Sequence, residues 1–235
     1  MIEVKDLTVR YGGVTSLDGM SLTFSDGVCG LIGPNGAGKT TFFNVLSGFV
    51  RPAAGTVTAF DDNLLRMTHF RRARWGVRRT FQTEQAISDL TGYDNVAMIH
   101  SRLRGAARRD DVLASIEFVG GGVSPWAKVG SLTAGQRRLV EVARTVTGKP
   151  RLILLDEPAA GLPDEETAHL TAVIRGIPEQ TGALTILVDH DMALVSAVCT
   201  TAAVLDFGKL IASGPTAAVL RDEHVMRAYL GTAEV

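Results

Sequence analysis

The stretch GPNGAGKT, residues 33–40, decides the fold of this 235-residue chain. It fits the pattern G-x-x-x-x-G-K-[ST], follows the apolar run VCGLI (28–32) and opens the helix-like run TFFNVLSG (41–48). Glycines let successive backbone N–H groups point inward, and a helix start adds partial positive charge. A glycine-rich turn without a ligand is the alternative, but the match of both spacing and context favours a cradle for phosphate groups.

Different residues of this cradle are predicted to bind the triphosphate and its magnesium ion. Lys39 is long enough to reach the β- and γ-phosphates, and the hydroxyl of Thr40 is a suitable Mg²⁺ ligand. The residues predicted to contact nucleotide here are Gly33, Pro34, Asn35, Gly36, Ala37, Gly38, Lys39, Thr40 and Thr41.

Other apolar runs predict an α/β fold around the cradle. RLILL (151–155) and LTILV (184–188) are continuously apolar, which is typical of central strands covered on both faces. IEVKDLTV (2–9) and SLTF (21–24) alternate like half-buried strands. TTAAVLDFGKLIASG (200–214) predicts a β-hairpin that turns at DFGK.

The hydrophobic pattern of the sequence changes between about residues 84 and 150. Strand-like runs disappear, and NVAMIHSRLRG, RRDDVLASIEFVG and QRRLVEVARTVTG have the spacing of amphipathic helices. We therefore expect a helical subdomain at 84–148, inserted into a core formed by 1–83 and 149–215. DEHVMRAYLG predicts a short helix within a helical tail at 216–235.

The composition gives no sign of a nucleic-acid partner or of a membrane span. The formal net charge is −1, and no apolar run approaches the length needed to cross a bilayer. The amino-terminal residues lack the apolar stretch of a signal peptide. Cys29 and Cys199 lie in apolar runs and predict buried free thiols in a reducing compartment.

Two acids end the strand-like run RLILLDEP (151–158). Asp156 is a candidate Mg²⁺ ligand, and Glu157 is placed to polarise or orient an attacking water. Acids also end strands simply because water solvates them there, so this pair by itself leaves both readings open. The neighbouring phosphate cradle favours the functional one.

Three further polar or aromatic residues follow strand-like runs. Gln82 is a candidate for the metal or water shell, and His190 for a hydrogen bond to a γ-phosphate. Tyr11 is placed either to stack on a nucleotide base or to cap the sheet. The remaining histidines have no such context and are expected to face solvent; they are His69, His100, His169 and His224.

The segment LTAGQ, residues 132–136, which we call the signature turn, leads directly into a helix-like run. Such a small-residue turn is either an ordinary loop or a place where an anion approaches the backbone closely. The residues concerned are Leu132, Thr133, Ala134, Gly135 and Gln136.

The phosphate loop, Gln82, the signature turn, LLDEP and His190, in this order, resemble the nucleotide-binding subunit of an ATP-binding cassette (ABC) transporter. The resemblance covers nearly the whole chain. It implies an α/β P-loop NTPase core with an antiparallel β subdomain and an inserted α-helical subdomain. It also implies ATP and Mg²⁺ as ligands, with Thr40, Gln82 and Asp156 in the metal shell.

The same resemblance assigns roles to the remaining candidates. Tyr11 would stack on adenine, Glu157 would be the catalytic base, and Gln82 and His190 would act beside it. The signature turn would cap the γ-phosphate of ATP held by a second ATPase subunit, either the same chain or a related one. Hydrolysis would then drive transmembrane permease subunits at the cytoplasmic face of the membrane.

Finer stretches resemble the branch that takes up branched-chain amino acids. They are GLIGPNGAGKTTFFN, RTFQ, DEPAAGL, HDM, VLDFGKLIA and VMRAYLG. This branch implies an extracytoplasmic substrate-binding protein as an indirect partner. Urea or amide importers and the lipopolysaccharide-export ATPase share parts of the pattern and are the alternatives. A soluble ABC-type ATPase acting on nucleic acid or ribosomes is a further alternative, disfavoured by the single cassette and the near-neutral charge.

Two positions depart from the family pattern. Ala134 adds a methyl group where the family has glycine, and the hydroxyl of Thr133 is kept. Pro163 stands where the family has Asp or Asn, and it offers neither an N–H nor a side-chain acceptor. Asp164 or the partner subunit is left to supply the contact across the dimer.

A cluster of arginines follows the first helix-like run. Its members are Arg71, Arg72, Arg74, Arg78 and Arg79. We expect a solvated face here, with contact to lipid headgroups or membrane-subunit loops as the alternative. By resemblance, residues 83–96 would receive the coupling helix of the membrane subunit.

Overall fold

A computed structural model describes residues 1–25, 27–104 and 108–230, without the side chains of 102–104 and 227–230. The last five residues of the expected tail therefore lie outside the described residues. The strands are β1 (Ile2–Tyr11), β2 (Val14–Phe24), β3 (Val28–Ile32), β4 (Ala54–Ala59), β5 (Asp62–Asn63), β6 (Val77–Arg79), β7 (Leu152–Asp156), β8 (Leu184–Val188), β9 (Thr201–Asp206) and β10 (Lys209–Pro215).

In the described ranges, three helices follow one another between β6 and β7, and two more follow β10. The helices are α1 (Lys39–Ser47), α2 (His69–Trp75), α3 (Gly92–Arg104), α4 (Arg109–Val119), α5 (Ala134–Val146), α6 (Asp164–Thr181), α7 (Met192–Val198), α8 (Thr216–Val219) and α9 (Glu223–Leu230). Within the described residues, no helix is long and apolar enough to cross a membrane.

The larger sheet has the strand order β10-β9-β3-β8-β7-β6. Strands β6, β7, β8, β3 and β9 are parallel, and β10 pairs antiparallel with β9 as the predicted hairpin. Every residue of β3, β7 and β8 is buried, which confirms the interpretation of their continuous apolar runs. Because the parallel strands share a direction, the loops after β3, β6, β7 and β8 emerge at one edge of the sheet.

A second sheet is antiparallel, in the order β2-β1-β4-β5. Its buried residues join one face of the larger sheet and α1 in a continuous core that includes Phe42 and Phe43, both 0% exposed. A separate core joins the other face to α3, α4, α5 and α6. Each of the two phenylalanines contributes on the order of 2 kcal/mol by burial, so α1 and the loop before it are held firmly.

Helix α1 ends where the sequence predicts. Gly48 adopts a left-handed conformation at φ 83° and its N–H bonds back to the carbonyls of Asn44 and Val45. Phe49 lies past this cap and is 59% exposed. The cap turns the chain away before the next helical position is reached.

The expectation of a solvated arginine face is wrong for three of its five members. Arg71 and Arg74 are exposed, but Arg72 and Arg78 are buried and the Arg79 side chain is 6% exposed. Arg72 donates to the carbonyls of Val45 and Leu46, the last turn of α1, where a cation is favoured by the helix dipole. Burial lowers the pKa of the Arg72 guanidinium.

One histidine expected to face solvent is also buried. His100 of α3 is 4% exposed, and its Nε2 lies 3.3 Å from a carboxylate oxygen of Asp111 of α4. The packing of these two helices covers the imidazole, and the sequence around His100 carries no signal of that contact. His69, His169 and His224 are exposed as expected.

Candidate active site

The phosphate loop joins β3 to α1 through three glycines, and two of them, Gly33 and Gly38, cannot gain a side chain without movement of their neighbours. Gly33 has φ 150°, and a Cβ atom there would lie 2.1 Å from the carbonyl oxygen of Leu205 in β9. Gly38, at φ 105°, precedes the first residue of α1 and would clash with Ser16 and Leu17. The loop is thus pressed against its neighbours on one side and leaves its other side, at the exposed Asn35 and Gly36, open.

Lys39 lies inside this loop. Its Nζ donates to the carbonyl oxygens of Gly33 at 2.6 Å and Pro34 at 2.9 Å. Burial lowers the pKa of the Lys39 ammonium, and the carboxylates of Glu157 and Asp156 partly oppose that shift. An ammonium has three N–H donors, and the two carbonyls take two of them, so the third can bind a phosphate oxygen.

Asp156 ends β7 with its side chain buried. Its Oδ2 accepts from Nη2 of Arg79 at 2.8 Å, and its backbone N–H donates to the hydroxyl of Thr80. Arg79 also donates to the side chain of Asn44 in α1 at 2.7 Å and stacks on the rings of Phe43 and Phe81. Asp156 is therefore held in one orientation by a guanidinium that is itself fixed.

The three residues predicted to be catalytic meet at one carboxylate. Glu157 accepts from Nε2 of Gln82 at 3.0 Å through Oε2, and its Oε1 lies 2.9 Å from Nε2 of His190. The loops after β6, β7 and β8 supply one residue each. Glu157 has a left-handed backbone at φ 47°, a conformation that costs a non-glycine residue about 1 kcal/mol and clusters at functional sites.

The loop that carries His190 is fixed by its neighbours. Oδ1 of Asp189 accepts from the N–H of Asp191, and Asp191 caps α7 by accepting from Ala193 and Leu194. Burial raises the pKa of the Asp189 carboxyl group. His190 is thereby presented toward Glu157 at the start of a helix rather than on a free loop.

The side chains predicted for the metal shell are oxygen donors of the kind that Mg²⁺ prefers. Thr40 is exposed in the first turn of α1, and Oδ1 of Asp156 has no hydrogen-bond donor among the described residues. Gln82 uses its Nε2 toward Glu157, which leaves its carbonyl oxygen available. No cluster of three or more His, Cys, Asp or Glu side chains with metal-binding geometry occurs in the described residues. The set therefore fits a hard cation held jointly with phosphate oxygens.

The signature turn begins α5 with a capping box. Thr133 Oγ1 accepts from the N–H of Gln136, and the Gln136 side chain accepts from the N–H of Thr133. Thr133 and Ala134 are exposed, whereas Gly135 is buried. The turn is thus rigid and presents a hydroxyl and a helix amino terminus to the surface.

The chain segment after Gln82 is tied to the flank of α5. The N–H of Gln85 donates to the buried carboxylate of Glu141 at 2.5 Å, and Arg144 donates to the carbonyl of Gln85 at 2.7 Å. Arg137 adds a 3.0 Å ion pair with Glu84. The tethers link the loop that carries Gln82 to the helix that carries the signature turn.

Two other predicted positions, Tyr11 and Pro163, lie at the ends of elements. Tyr11, 49% exposed, ends β1 at the turn into β2. The hydroxyl of Ser16 in β2 lies 2.7 Å from that of Thr41 in α1, which ties this hairpin to the phosphate loop. Pro163 precedes α6 and caps it without a side-chain hydrogen bond.

Arg79 and Ser16 belong to the site but do not follow from the sequence pattern. Arg79 lay in a run of arginines that resembled a surface, and only its place at the end of β6, one strand from β7, brings it to Asp156. The position of Arg79 three residues before Gln82 was the available signal.

Solved structures share this architecture. The ADP conformation of MJ1267, an ATP-binding cassette of an ABC transporter, has a TM-score of 0.88 and 24% sequence identity, and the match covers 98% of each chain. A dimeric bacterial ABC transporter cassette, MJ0796, has a TM-score of 0.79 and 21% identity over 92% of this chain and 99% of that one. Fold and site together define a P-loop ATPase cassette.

Sequence relatives extend along the whole chain. The ABC transporter family model matches residues 17–160, and the model described as branched-chain amino acid ATP-binding cassette transporter matches residues 209–235. The high-affinity branched-chain amino acid transport ATP-binding protein BraF of Pseudomonas aeruginosa is 32% identical over 255 residues, covering 99% of this chain and 98% of BraF. The lipopolysaccharide export system ATP-binding protein LptB of Escherichia coli is 35% identical over 234 residues, covering 98% of this chain and 97% of LptB.

The chain belongs to the ABC transporter family. It is a nucleotide-binding cassette and an ATP hydrolase of that family.

Proposed function

We propose that this cassette powers a membrane importer of branched-chain or related amino acids from the cytoplasmic face of the membrane. The observation that carries the proposal is the match of residues 209–235 to the branched-chain amino acid cassette family, beyond the shared ATPase core. BraF supports it as a relative over 99% of this chain.

In the proposed reaction, the phosphate loop and Lys39 bind the triphosphate of ATP, and Tyr11 stacks on adenine. Glu157 orients the attacking water and accepts its proton, because its carboxylate already lies between the side chains of Gln82 and His190. His190 holds the carboxylate in place from the opposite side. The preorganised pair of contacts is what makes Glu157 the best base in the described residues.

Mg²⁺ bound with ATP would neutralise charge that builds up on the phosphate oxygens. Thr40 and Gln82 would hold it through oxygen atoms, and Asp156 through the carboxylate that Arg79 keeps oriented. Two ATP molecules would lie between two cassettes, each capped by the signature turn of the partner, which is the same chain or a related one.

The permease subunits would dock over a cavity of about 440 Å³ beside the Gln82 loop. Its lining combines aromatic rings with side chains of α2, α3 and α5; members are Phe49, Phe70, Phe81, Gln85, Ile99 and Arg144. A helix of the permease that inserts its apolar side chains here would contact both the core and the helical subdomain. An extracytoplasmic binding protein would deliver the amino acid to the permease.

The similarity to LptB favours a second candidate function, the ATPase of lipopolysaccharide export. One experiment separates the two candidates. The chain is purified from native membranes with its partners, and uptake of radiolabelled leucine, isoleucine and valine is measured in cells that carry wild type or Glu157→Gln. Co-purification with an importer permease and loss of uptake support the proposal. Normal uptake, or capture of an export complex instead, would contradict it.

A further inference from the structure

An acidic side chain of the chain itself sits on the signature turn. Oε1 of Glu166, in the first turn of α6, accepts a hydrogen bond from the hydroxyl of Thr133 at 2.9 Å. A Cβ atom on Gly135 would lie 2.4–2.8 Å from the carboxylate carbon and both of its oxygens. The absence of a side chain at Gly135 is what lets this carboxylate rest against the backbone of the turn.

The contact uses the one proton that Thr133 can donate. A threonine hydroxyl has a single O–H and two acceptor lone pairs. Thr133 already accepts from the N–H of Gln136, and its proton goes to Glu166. The hydroxyl therefore cannot donate to another anion until its hydrogen bond to Glu166 is broken.

The charges explain why the carboxylate is attracted. The first turn of α5 contains no acidic residue of its own, so its N–H groups and helix dipole lack a local counter-charge. The first turn of α6 holds three acids, Asp164, Glu165 and Glu166, and only Glu166 reaches Thr133. Glu166 thus places a negative charge at the amino terminus of α5, where the helix has no acidic residue of its own.

We propose that Glu166 is a positioning residue that occupies the γ-phosphate place on the signature turn and must be displaced when a partner's ATP docks there. The inference rests on the proposed sandwich of two cassettes. The phosphate and the carboxylate compete for the Thr133 proton, and they repel one another as like charges at the same helix start. Glu166 thereby weakens ATP-driven closure without touching the ATP bound by its own chain.

The structure provides room for the displaced side chain. A cavity of about 410 Å³ borders the turn and is lined by Gly121, Gly135, Gln136, Glu165, Glu166 and His169. Glu166 is only partly buried, and rotation about its side-chain torsions moves the carboxylate into this space without moving α6. The exchange therefore needs a rotamer change rather than a rearrangement of the backbone.

The test compares two neutralised carboxylates in a chain that cannot complete hydrolysis. Glu157→Gln is the parent, and Glu166→Gln or Glu179→Gln is added to it; Glu179 is an exposed acid near the far end of the same helix and is the control. Sedimentation equilibrium over a range of ATP concentrations gives the dimer Kd, and a fluorescent ATP analogue gives the nucleotide Kd of the monomer. A urea titration of each variant checks that the fold is unchanged.

We expect Glu166→Gln to tighten the dimer and Glu179→Gln to leave it within about twofold of the parent. The amide can still accept from Thr133, but exchange of a charged hydrogen bond for a neutral one is worth about fivefold per turn, and a dimer contains two such turns, so the dimer Kd falls by about 25-fold. The nucleotide Kd of the monomer stays the same, a separation that a general stabilisation of the fold does not produce.

The failures of the two ideas are distinguishable. If the parent forms an ATP-dependent dimer and the two added substitutions change its Kd equally, the role of Glu166 is overturned and the sandwich stands. If the parent forms no ATP-dependent dimer, alone or in complex with its co-purified permease, the sandwich is overturned and this inference with it.

Discussion

Arg79 donates to Asp156 across 2.8 Å, and both side chains are only 6% exposed. The pair joins the end of β6 to the end of β7, directly below the carboxylate of the next residue, Glu157. A charge buried this deeply is tolerated because its partner is fixed, here by Asn44 and by the rings of Phe43 and Phe81. The ion pair is thus a structural support of the sheet edge where the predicted catalytic residues lie.

Replacing Arg79 by methionine is expected to lower the free energy of unfolding by about 3–5 kcal/mol, since it leaves the Asp156 charge buried and unpaired. Urea denaturation followed by circular dichroism measures the loss. Arg74→Met is the control, because Arg74 is exposed and its guanidinium lies 4.4 Å from the Phe70 ring centre. It should cost no more than about 1 kcal/mol. Equal losses in the free energy of unfolding would show that the buried pair stabilises the fold no more than the exposed Arg74 does.

Lys39→Met is expected to abolish detectable ATP binding while leaving the free energy of unfolding equal to wild type or slightly higher. Burial lowers the pKa of Lys39, so the charged side chain is held at a cost to the fold. Isothermal titration with ATP and urea titration on the same samples measure both effects. A variant that binds ATP normally would contradict the placement of the phosphates in this loop.

Gly33→Ala is expected to destabilise the chain by several kcal/mol, because its Cβ would lie 2.1 Å from the Leu205 carbonyl and β3 and β9 cannot separate freely. Gly36→Ala is the matched control, with φ 81° but open space around the added methyl group. It should cost only about 1 kcal/mol from backbone strain. Thermal unfolding compares the two; a larger effect at Gly36 would show that strain rather than packing dominates this loop.

Glu157→Gln is expected to lower the rate of ATP hydrolysis by about 10²–10⁴-fold, because an amide cannot accept the proton of the attacking water. ATP affinity should persist, since Lys39 and the phosphate loop are unchanged. A phosphate-release assay measures turnover. Glu179→Gln, an exposed carboxylate near the far end of α6, is the control and should hydrolyse ATP at the wild-type rate. Undiminished turnover in Glu157→Gln would remove Glu157 from the reaction.

Cys199 is expected to resist thiol reagents at pH 8 until the protein unfolds. Burial, with smaller contributions from Cys29 and Asp189, raises its pKa from 9.0 to about 12. Between those two values the unfolded thiol has lost its proton and the folded thiol keeps it. The free energy of unfolding therefore falls with rising pH by up to about 1.4 kcal/mol per unit.

Labelling with a maleimide dye and urea titrations from pH 8 to 11 check this behaviour. Cys199→Ala should remove its part of the pH slope, and Ser196→Cys, on the exposed side of α7, should label at once. Rapid labelling of Cys199 in the folded chain would contradict its burial.

The elements that the sequence predicted correctly are those whose signal is local. The buried strands β3, β7 and β8 follow from their continuous apolar runs, and α1 follows from the loop before it and Gly48 after it. That Gln82, Glu157 and His190 lie at one site was expected from the family resemblance, and the structure brings the three side chains together. Local patterns predict such elements because the spacing of apolar residues differs between buried strands and helices.

The features that the sequence did not predict depend on partners far away along the chain. Arg72 and Arg79 are polar residues in a polar run, and their burial is explained by the carbonyls of α1 and the carboxylate of Asp156. His100 is covered by its contact with Asp111 in another helix. Glu166 resembles an ordinary first-turn acid, and its contact with Thr133 exists because α6 and α5 begin side by side.

The tethers from Gln85 to Glu141 and Arg144 have a mechanical consequence. Because α5 runs unbroken from Ala134 to Val146, a displacement of the Gln82 loop that keeps these hydrogen bonds would have to move the helix as a unit. The amino-terminal cap of that helix is Thr133. A shift of the Gln82 loop would therefore also shift the signature turn, and the positions of the two segments are coupled.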